Sequence, residues 1–190
     1  MAKLYFRYAA MNAGKSTQLL QIEHNYRSLG RSVLLLTAAV DDRFGVGTIT
    51  SRLGVSSEAD VFTPTTDMFD LVSQYRASVE DHELGAILID EAQFLHGEQV
   101  KDLHRAVHTF GVPVLCFGLR SDFQGNPFPG SAMLMALAED LEELKNVCSC
   151  GSKATMNMRV DASGQRVRSG PQVLIGDATY RQVCGKCFHS

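Results

Sequence analysis

The sequence has little excess charge of either sign, no basic tract and no long apolar run. Among its 190 residues, 18 are Lys or Arg and 21 are Asp or Glu, so the formal net charge is −3. No basic run exceeds two residues, so the chain lacks the electrostatic footprint of an extended nucleic-acid or anionic-membrane surface. No apolar stretch approaches the roughly 20 residues that span a bilayer. We therefore expect neither a nucleic-acid partner nor a membrane partner.

The beginning of the chain also lacks a secretory signal. Met1, Ala2 and Lys3 lead directly into an apolar run at 4–8, so no apolar signal segment precedes the first predicted strand. This pattern predicts a cytoplasmic protein. The hydrophobic content of 45% is enough for one domain of ordinary core size and a small appendage.

A phosphate-binding motif follows the first apolar run. Residues 9–17 read Ala-Ala-Met-Asn-Ala-Gly-Lys-Ser-Thr. In such a loop backbone N–H groups wrap the anion, Lys15 reaches the β- and γ-phosphates and the Ser16 hydroxyl ligates Mg²⁺. Ala9 stands where the motif has its first Gly, and Ala tolerates a left-handed conformation less well. The alternative is a helix that merely begins with these residues, but the strand-like run upstream favours a nucleotide site.

Strands and helices are predicted to alternate along most of the chain. Buried strands are indicated at 32–38, 86–90 and 112–117, helices at 16–29, 68–79, 98–110 and 131–145, and a long loop at 41–57. Continuous apolar strands between helices predict an α/β fold with a parallel sheet covered on both faces. Ligands of such sheets bind beyond the carboxyl ends of the strands. We divide the chain into an α/β domain, residues 1–145, and a small C-terminal domain, residues 146–190.

Two acidic residues stand at the end of the strand at 86–90. Asp90 is in position to provide a Mg²⁺ carboxylate, and Glu91 points in a different direction and could act as a general base. Two solvated loop acids are the alternative, but the presence of Lys15 and Ser16 in the same chain favours the catalytic interpretation.

A charge cluster follows the second predicted strand. Arg43 could hold phosphate oxygens through its planar guanidinium, and Asp41 could support the metal or its waters. Taken alone, the cluster is better interpreted as a solvated group of charges.

Four of the five cysteines lie near the end of the chain, as Cys148-x-Cys150 and Cys184-x-x-Cys187. In a reducing compartment such pairs favour a metal over disulfides, and four thiolates suit a structural, tetrahedral Zn²⁺. Four free thiols are the alternative. Between the pairs, the apolar segment 173–180 is either part of a zinc-ribbon hairpin or a flap that covers a planar substrate.

The order of these motifs resembles the cellular, zinc-containing class of thymidine kinases. The matching elements are Met-x-x-Gly-Lys-Ser-Thr, Asp-Asp-Arg-Phe, Asp-Glu-x-Gln-Phe, Gly-Leu-Arg-x-Asp-Phe, Cys-x-Cys, Ile-Gly, Tyr and Cys-x-x-Cys, and they cover nearly the whole chain. The resemblance implies a RecA-like P-loop domain, a small zinc-binding domain with a lasso loop over the nucleoside, and a homotetramer. It also implies transfer of the γ-phosphate of ATP to the 5′-hydroxyl of thymidine or deoxyuridine, with ATP, Mg²⁺ and Zn²⁺ bound.

The same resemblance implies that Glu91 is the catalytic base. It also implies that Lys15 and Arg43 contact the phosphates, and that Ser16 and Asp90 bind Mg²⁺. The residues implied to bind ATP are Ala9, Ala10, Met11, Asn12, Ala13, Gly14, Lys15, Ser16, Asp90, Glu91, Ala92 and Gln93. The residues implied to contact the nucleoside are Met11, Phe94, Leu119, Phe123, Gly176 and Tyr180.

Two other functions fit parts of the pattern. A RecA-like ATPase acting on DNA with a zinc ribbon would need a basic surface, which this sequence does not offer. A non-catalytic zinc-ribbon adaptor would not need the Asp90–Glu91 pair.

Overall fold

The predicted alternation of strands and helices is present in the structure. The computed structural model describes residues 1–41, 45–79, 84–174 and 179–190. The strands are β1 (Leu4–Ala9), β2 (Ser32–Ala38), β3 (Thr48–Thr50), β4 (Ser56–Glu58), β5 (Asp60–Phe62), β6 (Leu84–Ile89), β7 (Val114–Leu119), β8 (Asp140–Glu143), β9 (Met156–Val160), β10 (Arg166–Val167) and β11 (Thr179–Val183). The helices are α1 (Lys15–Ser28), α2 (Met68–Ser78), α3 (Gly97–Phe110), α4 (Pro129–Leu137) and α5 (Gly185–His189), with a single 3₁₀ turn at Ala92–Phe94.

Six strands form one parallel sheet in the order β5-β2-β6-β7-β1-β8. The register places Ala9, the last residue of β1, opposite Leu119, the last residue of β7. Asp90 follows β6 directly, on the other side of β7. The ends of these three strands therefore meet at one edge of the sheet, where parallel α/β proteins bind ligands.

Apolar side chains cover both faces of the sheet. On one face, alternate strand residues such as Phe6, Leu36 and Ile89 pack in one core with residues of α2, α3 and α4. On the other face, residues such as Leu35 and Leu88 pack with α1 and the β3–β4 hairpin. This arrangement confirms the predicted α/β fold with helices on both sides of a parallel sheet.

Two predicted elements are wrong in part. The segment 41–57, predicted as a loop, contains β3 and the first residues of β4, which pair in an antiparallel hairpin. The helix predicted at 131–145 ends at Leu137, and Asp140–Glu143 instead pairs with β1 as an edge strand. Acidic residues have low strand propensity, so this strand has no clear signal in the sequence. It is stabilised by Arg7 of β1, which forms ion pairs with Asp140 at 2.6 Å and Glu142 at 2.8 Å.

The C-terminal part of the chain forms a separate antiparallel sheet in the order β10-β9-β11. Its small core combines apolar side chains with two of the cysteines: Cys148, Ala154, Val183, Cys184 and Phe188. In the part of the chain that the structure describes, no helix has both the length and the apolar character to cross a membrane.

Candidate active site

The loop between β1 and α1 has the backbone conformation of a phosphate cradle. Asn12 and Gly14 have positive φ values of 66° and 80°, and α1 begins at Lys15. Ala9 is the last residue of β1 and is not among the described residues with positive φ. An Ala at the first motif position therefore costs no left-handed strain. The buried ammonium of Lys15 donates to the carbonyl of Ala10 at 3.3 Å, across the loop.

Asp90 connects the neighbouring strand to this loop. The Ser16 hydroxyl donates to Asp90 Oδ2 at 2.7 Å, and the N–H of Glu91 donates to Oδ1 at 3.0 Å. Burial, and then the nearby charge of Glu91, raise the pKa of Asp90 to about 6. A buried carboxylate beside a hydroxyl presents the hard oxygen ligands that Mg²⁺ prefers, so Ser16 and Asp90 fit that ion.

Glu91 adopts an uncommon backbone conformation. Its φ of 51° and ψ of 36° place it in the left-handed region, which non-glycine residues seldom occupy outside functional sites. Its Oε2 accepts a hydrogen bond from Gln93 Nε2. Gln93 is 1% exposed, and its Oε1 accepts the N–H of Leu119 at 3.0 Å. A buried carboxamide anchored to β7 therefore orients the Glu91 carboxylate.

Two cavities meet at Glu91. One, of about 1040 Å³, surrounds the phosphate loop and is lined by residues 11–18, among others. The other, of about 380 Å³, has several aromatic side chains in its wall and is of a size typical for small ligands. Both cavities are lined by Met11, Arg52, Glu91 and Leu119. A group bound in one cavity can therefore approach a group bound in the other at this carboxylate.

The C-terminal part of the chain contacts the phosphate loop through Asn157 of β9 and Asn146, which precedes β9. The buried Asn157 accepts the N–H of Met11 at 2.8 Å and donates to the carbonyl of Ser121 at 3.1 Å. Asn146 donates to the carbonyl of Met11, also at 2.8 Å. Side chains from the C-terminal part of the chain therefore hold both the backbone N–H and the carbonyl of Met11.

Arg159 joins two aromatic residues at the smaller cavity. Its guanidinium carbon lies 3.7 Å from the centroid of the Phe123 ring, and its Nη2 donates to the Tyr180 hydroxyl at 2.7 Å. Nη2 also donates to the carbonyl of Pro171 at 2.9 Å. Arg159 is 4% exposed, so it forms a fixed support behind this wall.

The structure brings most of the predicted nucleoside contacts together. The residues from that set that line the smaller cavity are Met11, Phe94, Leu119, Phe123 and Tyr180. Arg43 and Gly176 lie outside the described residues. Sequence reasoning missed Arg52, Asn157 and Arg159, because none belongs to a local motif. Only the fold places them beside the cavities.

The four C-terminal cysteines form a cluster suited to zinc. Their sulfur atoms all lie within 4.8 Å of one another, and Cys150 and Cys184 have a separation of 3.6 Å between sulfurs. Zn–S bonds of about 2.3 Å in a tetrahedron require separations of about 3.8 Å. All five cysteines of the chain are free thiols. Hydrogen bonding by Ser152 and by neighbouring thiols lowers the pKa of Cys150 to about 6, whereas hydrogen bonds with the other thiols raise the pKa of Cys187 to about 12. The four thiols therefore do not ionise independently, and a bound Zn²⁺ would favour the thiolate form of all four.

The loop, the strand-end acid and the parallel sheet define a P-loop nucleotide-binding protein of the α/β class, with an added cysteine site that can hold zinc. The family model described as thymidine kinase matches residues 2–188. This chain therefore belongs to the thymidine kinase family.

Proteins named thymidine kinase from several bacteria are similar to the chain over its length. The one from Chromobacterium violaceum is 56% identical over 190 residues, which cover 100% of this chain and 99% of that protein. The one from Ruegeria pomeroyi is 52% identical over 187 residues, which cover 98% and 93%. The one from Shewanella oneidensis is 48% identical over 189 residues, which cover 99% and 97%.

Proposed function

We propose that this protein is a thymidine kinase, which transfers the γ-phosphoryl group of ATP to the 5′-hydroxyl of thymidine. Membership of the family supports the reaction. The position of Glu91 at the junction of the two cavities is the observation that supports our assignment of residues. The DNA-dependent ATPase considered from the sequence is not favoured, because the family match covers nearly the whole chain.

We assign the larger cavity to ATP. Loop N–H groups and the Lys15 ammonium would contact the β- and γ-phosphates. The Ser16 hydroxyl and the Asp90 carboxylate would hold Mg²⁺, which neutralises phosphate charge when it is bound. The exposed guanidinium of Arg52 lines both cavities and adds positive charge beside the transferred group. The phosphate contact implied for Arg43 stays a prediction, as do the ATP contacts implied for Ala92 and Gln93.

We assign the smaller cavity to the nucleoside. Phe94, Phe123 and Tyr180 provide aromatic surface for a planar base, and Met11 and Leu119 lie on the side shared with the ATP cavity. The thymine methyl group would lie among Met11, Leu119 and Phe123. A difference of one methyl group is worth about 1–3 kcal/mol, so deoxyuridine should also be a substrate. The contact implied for Gly176 stays a prediction.

Glu91 would act as the general base. As the bond between the γ-phosphorus and the ADP oxygen breaks, a bond forms from phosphorus to the 5′-oxygen, and the hydroxyl proton passes to the Glu91 carboxylate. The transition state of such a reaction is loose, so most of the rate comes from positioning and charge stabilisation. Gln93 would contribute by holding the Glu91 carboxylate in one orientation.

The other parts of the proposal concern organisation. We assign the cysteine cluster to a structural Zn²⁺, because four thiolates leave no open position for a substrate. Three expectations from the sequence remain predictions: the domain boundary between residues 145 and 146, assembly as a homotetramer, and a location in the cytoplasm.

The test is a phosphorylation assay on the full chain with ATP, Mg²⁺ and a panel of pyrimidine and purine deoxynucleosides. We expect thymidine and deoxyuridine monophosphates to form. Glu91→Gln should lower kcat by about 10²- to 10⁴-fold and leave ATP binding nearly unchanged. Glu98→Gln, on the exposed first turn of α3, is the matched control.

Three results would contradict the proposal. The first is the absence of any nucleoside monophosphate with the folded wild-type protein. The second, a wild-type rate for Glu91→Gln, would remove Glu91 as the base. The third, ATP hydrolysis stimulated by single-stranded DNA and not by thymidine, would favour the DNA-dependent ATPase.

A further inference from the structure

A cluster of two histidines and one glutamate lies away from both cavities. His104 and His108 are one helical turn apart on α3, and Glu139 lies between α4 and β8. Residues four apart on a helix project from the same face. The Nε2 atoms of His104 and His108 lie 3.6 Å and 2.8 Å from the same carboxylate oxygen, Oε1 of Glu139.

The glutamate of this cluster is fixed by the backbone of β1. Glu139 Oε2 accepts the N–H of Leu4 at 2.5 Å, and the Glu139 N–H donates to the Leu4 carbonyl at 2.9 Å. The other oxygen, Oε1, is directed at the histidines. Ligands of metal ions are commonly oriented by hydrogen bonds of this kind.

The spacing of the three ligand atoms suits a small divalent ion. Zn–N bonds of about 2.0–2.1 Å and Zn–O bonds of about 2.0–2.2 Å in a tetrahedron place nitrogen and oxygen about 3.3 Å apart. The observed separations of 2.8 Å and 3.6 Å lie on either side of that value. The third separation, between the two imidazole nitrogens, is at most 4.8 Å, so movements of up to about 1.5 Å in these partly exposed side chains would complete the geometry. The three side chains are 29–46% exposed, which gives an ion a path from solvent and leaves room for a water as fourth ligand.

We propose that His104, His108 and Glu139 form a second metal site, which binds a divalent transition-metal ion such as Zn²⁺ and is separate from the cysteine cluster. The site is at the opposite edge of the sheet from the reaction. Glu139 is bonded to Leu4 at the start of β1, whereas the phosphate loop follows Ala9 at its end, about 17 Å away at 3.3 Å per residue. A bound ion would connect α3 to the segment between α4 and β8. It would stabilise the fold without contacting substrate.

The test uses the full chain in buffered free Zn²⁺ in the low micromolar range, followed by measurement of zinc per chain by mass spectrometry. We expect two zinc ions per wild-type chain and one for the double variant His104→Gln, His108→Gln. His24→Gln, which removes an exposed histidine of α1, is the matched control and should retain two. The double variant should keep the wild-type kcat, and zinc should raise the Tm of metal-depleted wild-type protein more than that of the double variant.

A second measurement does not depend on the folding of a variant. Diethyl pyrocarbonate modifies accessible imidazoles, and peptide mapping identifies the modified residue. In wild-type protein, zinc should protect His104 and His108 and leave His24 reactive. A wild-type chain that holds a single zinc under these conditions would overturn the proposal, as would a second zinc retained by the folded double variant. If each of the three histidines reacts equally with and without zinc, the proposal is also overturned, because Glu139 would then only contact the two imidazoles without a metal between them.

Discussion

Gly118 allows a direct test of how Glu91 is positioned. A Cβ atom added at this residue of β7 would lie 2.8 Å from Gln93 Oε1 and 3.0 Å from the Gln93 backbone nitrogen. Ordinary contacts of this kind begin at about 3.4 Å, so Gly118→Ala must displace Gln93 by about 0.6 Å. The displaced carboxamide can no longer accept from Leu119 and donate to Glu91 in the present geometry.

We expect the displacement to lower the rate more than it affects nucleotide binding. A misplacement of 1 Å can cost about 10²-fold in rate, so a shift of this size should lower kcat about tenfold. The three atoms nearest to a Cβ added at Gly118 belong to Gln93 and Ala92 and not to the phosphate loop, so the Kd of ATP should stay near the wild-type value. Overpacking of a buried site typically costs about 1–3 kcal/mol, and urea unfolding should give a loss of free energy in that range.

A control variant and a second variant distinguish the loss of Glu91 positioning from a general loss of stability. At Gly97, the first residue of α3, an added Cβ meets only the mobile end of Met133 at 3.2 Å. Gly97→Ala should therefore keep its kcat and gain up to about 1 kcal/mol from helix propensity. Gln93→Ala removes the same carboxamide without added volume and should lower kcat to a similar extent. If folded Gly118→Ala and Gln93→Ala both turn over at the wild-type rate, Gln93 does not position the base.

Three further predictions concern charge, metal and aromatic contacts. The pKa of Asp90 is about 6 in the folded protein against 3.8 for an ordinary aspartate, so this carboxyl favours folding below pH 3.8 and loses that contribution as the pH rises through 6. In metal-free urea unfolding, Asp90→Asn should therefore gain about 2 kcal/mol relative to wild type between pH 4 and pH 7.5; a constant difference would contradict the shift. A strong zinc chelator should unfold the small sheet and abolish activity, as followed by circular dichroism and the kinase assay, whereas full activity in zinc-free protein would exclude a structural role. Arg159→Met should raise the KM of thymidine about tenfold, or ~1.4 kcal/mol, and leave the KM of ATP unchanged, because Arg159 supports Phe123 and Tyr180; equal changes in both constants would indicate a general loss of structure.

Much of the large sheet could be predicted because its signals are local. Runs such as 32–38 and 86–90 are apolar at nearly every position, which is typical of strands buried on both faces. The phosphate-loop motif can also be recognised from neighbouring residues alone, since Gly14 must adopt a positive φ and Lys15 must follow it. The four cysteines could be predicted as a cluster because pairs at short spacing converge readily on one ion.

The elements that could not be predicted depend on partners distant in the sequence. The edge strand Asp140–Glu143 has no strand signature of its own, and it forms because β1 offers hydrogen bonds and Arg7 offers positive charge. The buried residues Asn157 and Arg159 alternate along β9 with the half-buried Met156 and Met158. Only the fold shows that Asn157 faces the phosphate loop and that Arg159 faces the Phe123 ring. The left-handed conformation of Glu91 is equally absent from the residue pattern, because it is imposed by the turn after β6.

The two asparagine contacts to Met11 limit how far this enzyme could be shortened. A chain cut after β8 would keep every strand of the large sheet and the complete Gly-Lys-Ser-Thr sequence. It would nevertheless lose Asn146 and Asn157, and with them the side chains that hold the N–H and the carbonyl of Met11. A minimal version that ends after β8 would therefore bind the triphosphate with a less constrained loop, and a shortened enzyme would need replacements for these two amide side chains.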